Sequence, residues 1–177
     1  MPERAYDGQV CSVARTLEVV GERWTLLIVR DAFLGVRRFE DFQRSLGVAR
    51  NVLSSRLQLL VEHGLLERRR YQEHPERYEY RLTASGRDLQ VTLVALMEWG
   101  DRHRSEQPPR LVGHRGCGGQ ARAVLVCEDC GEELPPGRVE SRPGPGARLS
   151  DPGPEGAAPP AGAGGRAQPS DMSPPPG

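Results

Sequence analysis

The chain has no lysine, no net charge and no apolar run of membrane-spanning length. Its 24 basic residues are all arginine, and 24 acidic residues balance them. That balance excludes a histone-like, non-specific nucleic-acid binder but leaves room for a local basic face. A membrane span needs roughly 18 or more apolar residues in succession, and the longest run in the N-terminal half is broken by Arg30 and Asp31. The opening MPERAYDGQV lacks the apolar core of a secretory signal, so the chain is expected in the cytoplasm. There, its four cysteines read as thiols or metal ligands before they read as structural disulfides. GxSxG, HExxH, P-loop and dinucleotide fingerprints are all missing, and no element gathers acids with histidines. An enzyme is therefore not expected.

What is present falls into three parts. Residues 10–104 carry the helical and strand patterns, residues 110–134 carry three cysteines and a histidine, and residues 135–177 form a tail. The tail holds 12 of the 16 prolines and 9 of the 21 glycines, with almost no large apolar side chains. Such a segment cannot bury enough surface to offset its ordering entropy, so it is expected to be disordered. No internal repeat is visible in the residues.

In the first part, CSVARTLEVVG reads as a short helix, with Val13, Leu17 and Val20 at helical spacing and Gly21 as its stop. WTLLIVRDAFLG is a second, strongly apolar helix ended by Gly35. FEDFQRSLG is a third, with Phe39, Phe42 and Leu46 on one face. A fourth covers residues 50–62 and ends at Gly64. LLERRRY and YEYRL then form a hairpin over residues 65–82, turning through QEHPER. Thr83 opens one long helix to residue 104, about 30 Å in length at 1.5 Å per residue. Gly86 near its start costs about 1 kcal/mol relative to alanine. The expected class is mainly α with a β-hairpin wing (α+β).

The fourth helix poses the functional question. With 100° per residue and Leu53 at zero, Leu57 falls near 40° and Leu60 near −20°, a buried stripe. Asn51, Ser55, Gln58 and Glu62 lie opposite, at about 140–200°, with Ser54 beside them and Arg50 at the start. Short donors and acceptors on an outward face suit base edges and phosphate oxygens. The glycine turn at Gly47 after a short helix has helix-turn-helix spacing. Arg68, Arg69 and Arg70 occupy the first strand of the hairpin and Arg77 lies near its tip. Strand alternation sends Arg68 and Arg70 to one face and Arg69 to the other. A polar helix face is also what simple solvation gives, and arginines on a hairpin also protect a sheet edge.

These motifs resemble the HxlR family of winged helix-turn-helix transcription regulators, within the MarR-like superfamily. The resemblance covers residues 11–100. It rests on CSVARTLEVVGERWTLLIVRDAFLG, RRFEDFQRSLGVARNVLSSRLQLLVEHGLLERRRY, PERYEYRLTASGRDL and LMEWG, in that order. It implies a homodimer on double-stranded DNA with a pseudo-palindromic operator, repression being the commoner mode. Helix 50–62 would enter the major groove and the hairpin would touch the flanking backbone. Dimer symmetry would set half-sites about one helical turn apart. The alternative is a protein-interaction adaptor without specific DNA binding.

The last helix carries Leu89, Leu93, Leu96 and Trp99, with Val94 and Met97 beside them. That is more apolar width than one small core needs, and a symmetric partner, packed there and on the first helix, is expected to cover the remainder. Cys11 precedes the first helix, where amide dipoles favour a thiolate. In some members of the resembled family a cysteine here senses oxidants. The other reading of Cys11 is a small buried apolar residue. In HRGCGGQARAVLVCEDCG, His114 and Cys117 are spaced H-x2-C, and Cys127 and Cys130 are spaced C-x2-C. One imidazole and three thiolates make the donor set of a structural, tetrahedral Zn2+ in a zinc-ribbon-like module. A disulfide or three reduced thiols are the other readings. His63, His74 and His103 are expected near a helix end, in the hairpin turn and at the end of the last helix.

Overall fold

The structure, a computed structural model, describes residues 11–147. It runs α1 (Ser12–Val20), α2 (Thr25–Phe33), α3 (Phe39–Leu46), α4 (Arg50–Glu62), β1 (Leu66–Gln72), β2 (Arg77–Leu82), α5 (Ala84–Asp88) and α6 (Gln90–Arg104). The first four helices and the hairpin fall where apolar spacing and alternation put them, giving a winged helix-turn-helix of α+β class. The expected disordered stretch from residue 148 onward lies outside the described residues. Residues 142–147 hold a turn in which Ala147 N–H donates to Gly144 C=O.

One core joins α1–α4 and the hairpin, with Leu93 of α6 packed against it. Ile28 and Val29 of α2, Phe42 of α3, and Leu53, Leu57 and Leu60 of α4 are all fully buried, and Leu66 of β1 closes the floor. The stripe at residues 53, 57 and 60 therefore faces inward as its angles require. Burying each such side chain contributes roughly 1.5–3 kcal/mol relative to leaving it in water. The turn between α3 and α4 depends on Gly47, whose φ of 62° is left-handed and whose N–H donates to Gln43 C=O.

The strands pair antiparallel, with Arg68 opposite Tyr80, Arg69 opposite Glu79 and Arg70 opposite Tyr78, and the register shifts between Arg70 and Gln72. A third segment joins them. Tyr80 N–H donates to Arg37 C=O, and Arg38 bridges Glu79. The wing is thereby tied to the start of α3.

The single helix expected over residues 83–104 is divided. Leu89, with ψ of −5°, separates α5 from α6. The cause is two competing anchors. Thr83 Oγ1 accepts from Gly86 N–H and donates to Gly64 C=O, pinning α5 to the base of the hairpin. Leu89 and Leu93 turn instead toward the core. Gly86 is buried so closely against Leu65 C=O that a side chain there would overlap it.

Residues 105–141 carry no helix and no named strand, and none of them is buried. They form two short turns of identical hydrogen-bond pattern. In the first, His114 N–H donates to Gly119 C=O and Gly118 N–H to His114 C=O. In the second, Cys127 N–H donates to Glu132 C=O and Gly131 N–H to Cys127 C=O. A repeat is thus present after all. It lies in the backbone, and the aligned side chains share little besides Cys117 with Cys130 and Gly118 with Gly131. Glu98 of α6 accepts from Ala123 N–H at 2.9 Å, joining this region to the helix.

Candidate nucleic-acid interface

On α4, Arg50, Asn51, Ser54, Ser55 and Gln58 are all exposed. Asn51, Ser54 and Ser55 make no side-chain hydrogen bond among the described residues, so their donors and acceptors face solvent. Gln58 is engaged, donating to Glu62 on the next turn at 2.8 Å. Arg50 is held from below: its guanidinium lies 4.7 Å from the centre of the Phe39 ring. That contact orients the charge at the entry of the helix at little entropic cost. Arg56, which faces away from the polar side, pairs with Glu22 at 3.1 Å and fastens α4 to the loop before α2.

The hairpin separates its four arginines by surroundings. Arg68 lies over the Tyr78 ring, 3.6 Å from its centre. Arg70 pairs with Glu73 and Glu76 at 3.4 and 3.2 Å, so much of its charge is already neutralised. Arg69 and Arg77 are exposed and form no ion pair among the described residues. The face carrying Arg68, Tyr78 and Tyr80 looks toward α3 across an open cleft of about 650 Å³. Burial raises the Tyr80 phenol above its ordinary pKa, against the lowering effect of Arg68 and with a smaller push from Glu40, so the hydroxyl stays a donor there.

Two further arginines line that cleft and escaped the sequence reading. Arg38 stacks on Tyr71 at 4.8 Å. Arg44 pairs with Asp41 at 3.2 Å. The signal for Arg38 was the Arg37–Arg38 doublet directly before a helix that starts with Phe39; Arg44 had none. Arg38, Arg44, Arg50, Arg68 and Arg77 line this concavity between wing and helices together with Glu40, Asp41 and Glu76, so arginine outnumbers carboxylate there five to three. An arrangement of this kind can follow a phosphate backbone while α4 presents its polar face to a groove.

The model of the HxlR-like helix-turn-helix family matches residues 19–108. The chain belongs to that family. An uncharacterised HTH-type transcriptional regulator of Mycobacterium tuberculosis is 55% identical over 137 residues, which is 76% of this chain and 87% of the relative. That likeness is longer than the family segment and so extends beyond the winged helix. Among solved structures, PA1607, a candidate transcription factor, aligns with a TM-score of 0.68 at 38% identity, over 75% of this chain and 94% of that one. The redox regulator HypR in its reduced form aligns with a TM-score of 0.51 at 30% identity, over 54% and 95%. This HxlR-like chain is a transcriptional regulator of helix-turn-helix type and not an enzyme. Among the described residues, no helix is long and apolar enough to cross a membrane.

The remaining predicted residues lie elsewhere. Cys11 is exposed at the N-cap of α1, where its carbonyl accepts from Arg15 N–H. His63 caps α4, and His103 lies against Trp99 with ring centres 5.2 Å apart and the planes tilted by 45°. His74 C=O accepts from Gln72 in the hairpin turn. His114 Nδ1 and Cys117 Sγ lie 3.2 Å apart. The Cys127 thiol is lowered from its ordinary pKa, first by the Cys130 amide and then by the Asp129 amide and the Cys130 thiol. The four donors thus stand as two pairs. No three His, Cys, Asp or Glu side chains are grouped to hold a metal among the described residues.

Proposed function

We propose that this HxlR-like regulator acts as a homodimeric, operator-specific repressor. Helix α4 reads bases in the major groove through Asn51, Ser54, Ser55 and Gln58. Arg69 and Arg77 of the wing, and the arginines of the cleft, hold the flanking phosphates. The observation that carries the reading is the polar face of α4. Three of its short side chains spend none of their hydrogen-bonding capacity inside the protein, directly beside a basic concavity. Base edges need such donors and acceptors, and phosphates need such charge.

The homodimer rests on the exposed apolar stripe of α6. Val91 and Trp99 stand 66% and 50% exposed, and Val13 of α1 stands 65% exposed. A second copy covering both stripes removes them from water in one symmetric contact. Sedimentation should return a dimer, and Trp99→Glu should return a monomer; a monomeric wild-type chain would end this part of the reading. Repression is the sign that the family resemblance implies. An exposed Cys11 at a helix N-cap, with a redox regulator among the similar structures, supports oxidant control of DNA release. Loss of binding after mild peroxide, absent in Cys11→Ser, is the expected behaviour, and equal loss in both proteins would refute it.

The central test is fluorescence anisotropy on the intergenic DNA beside the gene, against a scrambled duplex, over a salt series. Binding should favour the native DNA and weaken steeply with salt. Arg50→Ala and Asn51→Ala should narrow the difference between the two duplexes. Arg69→Ala and Arg77→Ala should weaken binding to both evenly. Equal, salt-insensitive behaviour on both duplexes would favour the adaptor reading and remove the operator.

A further inference from the structure

Residues 105–141 hold their shape without a core. None is buried, and Leu111, Val124, Leu125 and Val126 all lie open to solvent. A segment this small, with no interior, does not order itself by hydrophobic burial; such modules rely on disulfides, a metal or assembly. All three of its cysteines are free thiols. What it does have is one backbone turn built twice. Ala121 N–H donates to Val112 C=O and Leu134 N–H to Leu125 C=O, both at 2.8 Å. Gly113 bridges Gln120 and Val126 bridges Glu133. Gly118 and Gly131 are left-handed at φ of 72° and 73°. Every one of these features recurs thirteen positions on, and so do the donors: His114 maps onto Cys127, and Cys117 onto Cys130.

Each turn brings the two donors of an x2 pair to one side of a tight loop. The glycine after the second donor takes a conformation that a side chain would strain, and it turns the backbone back over the sulfur. In the first turn Gly119 N–H donates to Cys117 Sγ at 3.4 Å. An amide directed at a sulfur is the kind of outer contact that orients a metal-binding side chain. Duplicated loops of this kind, offering one imidazole and three sulfurs, fit a closed four-coordinate ion of borderline softness.

We propose that residues 112–134 form a structural Zn2+ site with His114, Cys117, Cys127 and Cys130 as its ligands. The four donors stand as two pairs, so binding closes the turns on one ion and supplies the interior that the segment lacks. All four positions are filled by protein, which leaves no place for a reacting water and makes the site structural. The Glu98 carboxylate, already bonded to Ala123 N–H between the two turns, fastens the closed module to α6. The proposal is independent of what the winged helix binds.

The test uses the full chain, reduced and stripped of metal by chelator. Zn2+ addition should restore one ion per chain by native mass spectrometry and slow amide exchange across residues 112–134. Co2+ should give thiolate-to-metal charge-transfer bands and the d–d absorption of a tetrahedral site. Cys117→Ser and Cys130→Ser should lower affinity by at least about 100-fold, since even changes in outer-shell partners cost 10–100-fold. His103→Ala should leave affinity unchanged, because that ring lies against Trp99 on α6. Circular dichroism of the helices should be the same in the serine variants, separating ligand loss from misfolding. Failure of the reduced wild-type chain to bind either ion would overturn the proposal. So would Co2+ binding that Cys117→Ser leaves at wild-type affinity.

Discussion

Two parts of this chain are ordered by opposite means. The winged helix is built around side chains that never meet solvent, and its surface polar groups are left over for DNA. The double turn that follows has no interior, and its shape is written in backbone hydrogen bonds, left-handed glycines and a few surface ion pairs. Hydrophobic burial is non-directional and is shared among many residues, so the first part gains strength from every element that packs on it. Turn hydrogen bonds in water are worth about 0.5–1.5 kcal/mol net each, because solvent competes for the same groups. The second part is therefore geometrically defined but weakly held until something joins its halves.

The largest expected effect breaks the first part alone. Phe42→Ala empties a fully buried position in α3. Truncations of this kind cost about 3–5 kcal/mol, a large share of the roughly 5–15 kcal/mol that holds a typical domain together. Urea unfolding followed by helix circular dichroism should show the midpoint falling sharply. The matching deletion in the second part, Leu125→Ala, removes a side chain that is 62% exposed. It should shift the same midpoint by no more than about 0.5 kcal/mol. Comparable losses in the two variants would mean that the double turn conceals a core of its own.

The contrast also explains what was legible in the residues. The buried stripe of α4 could be read because apolar side chains repeat at the helical period, and Leu53, Leu57 and Leu60 are all buried where that period puts them. The hairpin could be read from alternation and its polar turn. The duplication of the double turn could not, because the repeating quantity is a set of backbone bonds and the two copies share hardly any side chains. The basic cleft was half legible. Arg50, Arg68 and Arg77 stood on elements already named, while Arg38 enters because residues 37–38 join the wing, and Arg44 follows on the helix that this join places there. Nothing in local periodicity announces that join. The break at Leu89 was hidden for the same reason, since it arises from a long-range conflict between the hairpin base and the core.

Gly86 gives the intermediate effect, and its sign separates local propensity from packing. Inside a helix, alanine is favoured over glycine by about 1 kcal/mol. Gly86, however, is buried against the Leu65 carbonyl, and an added methyl would also press on Leu82. Backbone oxygen cannot move aside as a flexible side chain would, and overpacking of this type costs about 1–3 kcal/mol. Gly86→Ala should therefore destabilise the protein despite its better propensity, by about 1–2 kcal/mol in the same urea assay. A more stable variant would show that α5 can lift from the hairpin without loss.

The smallest effect lies within the double turn. Arg122 Nη2 is 3.0 Å from both carboxylate oxygens of Glu133, and both side chains are more than half exposed. This pair links the stretch between the turns to the end of the second turn, so it spans the closure that a bound ion would enforce. Exposed pairs contribute about 0–1 kcal/mol and are screened by salt. Arg122→Gln should leave the urea midpoint of the helices unchanged, since the pair touches none of their core. Any effect should appear as a modest rise in amide exchange within the metal-free double turn, vanishing as salt is raised. Once an ion holds both halves, opening requires breaking metal bonds, and the loss of one screened ion pair should become undetectable. If Arg122→Gln still raised exchange in the metal-loaded protein, the ion pair, rather than the ligands, would be what joins the two turns.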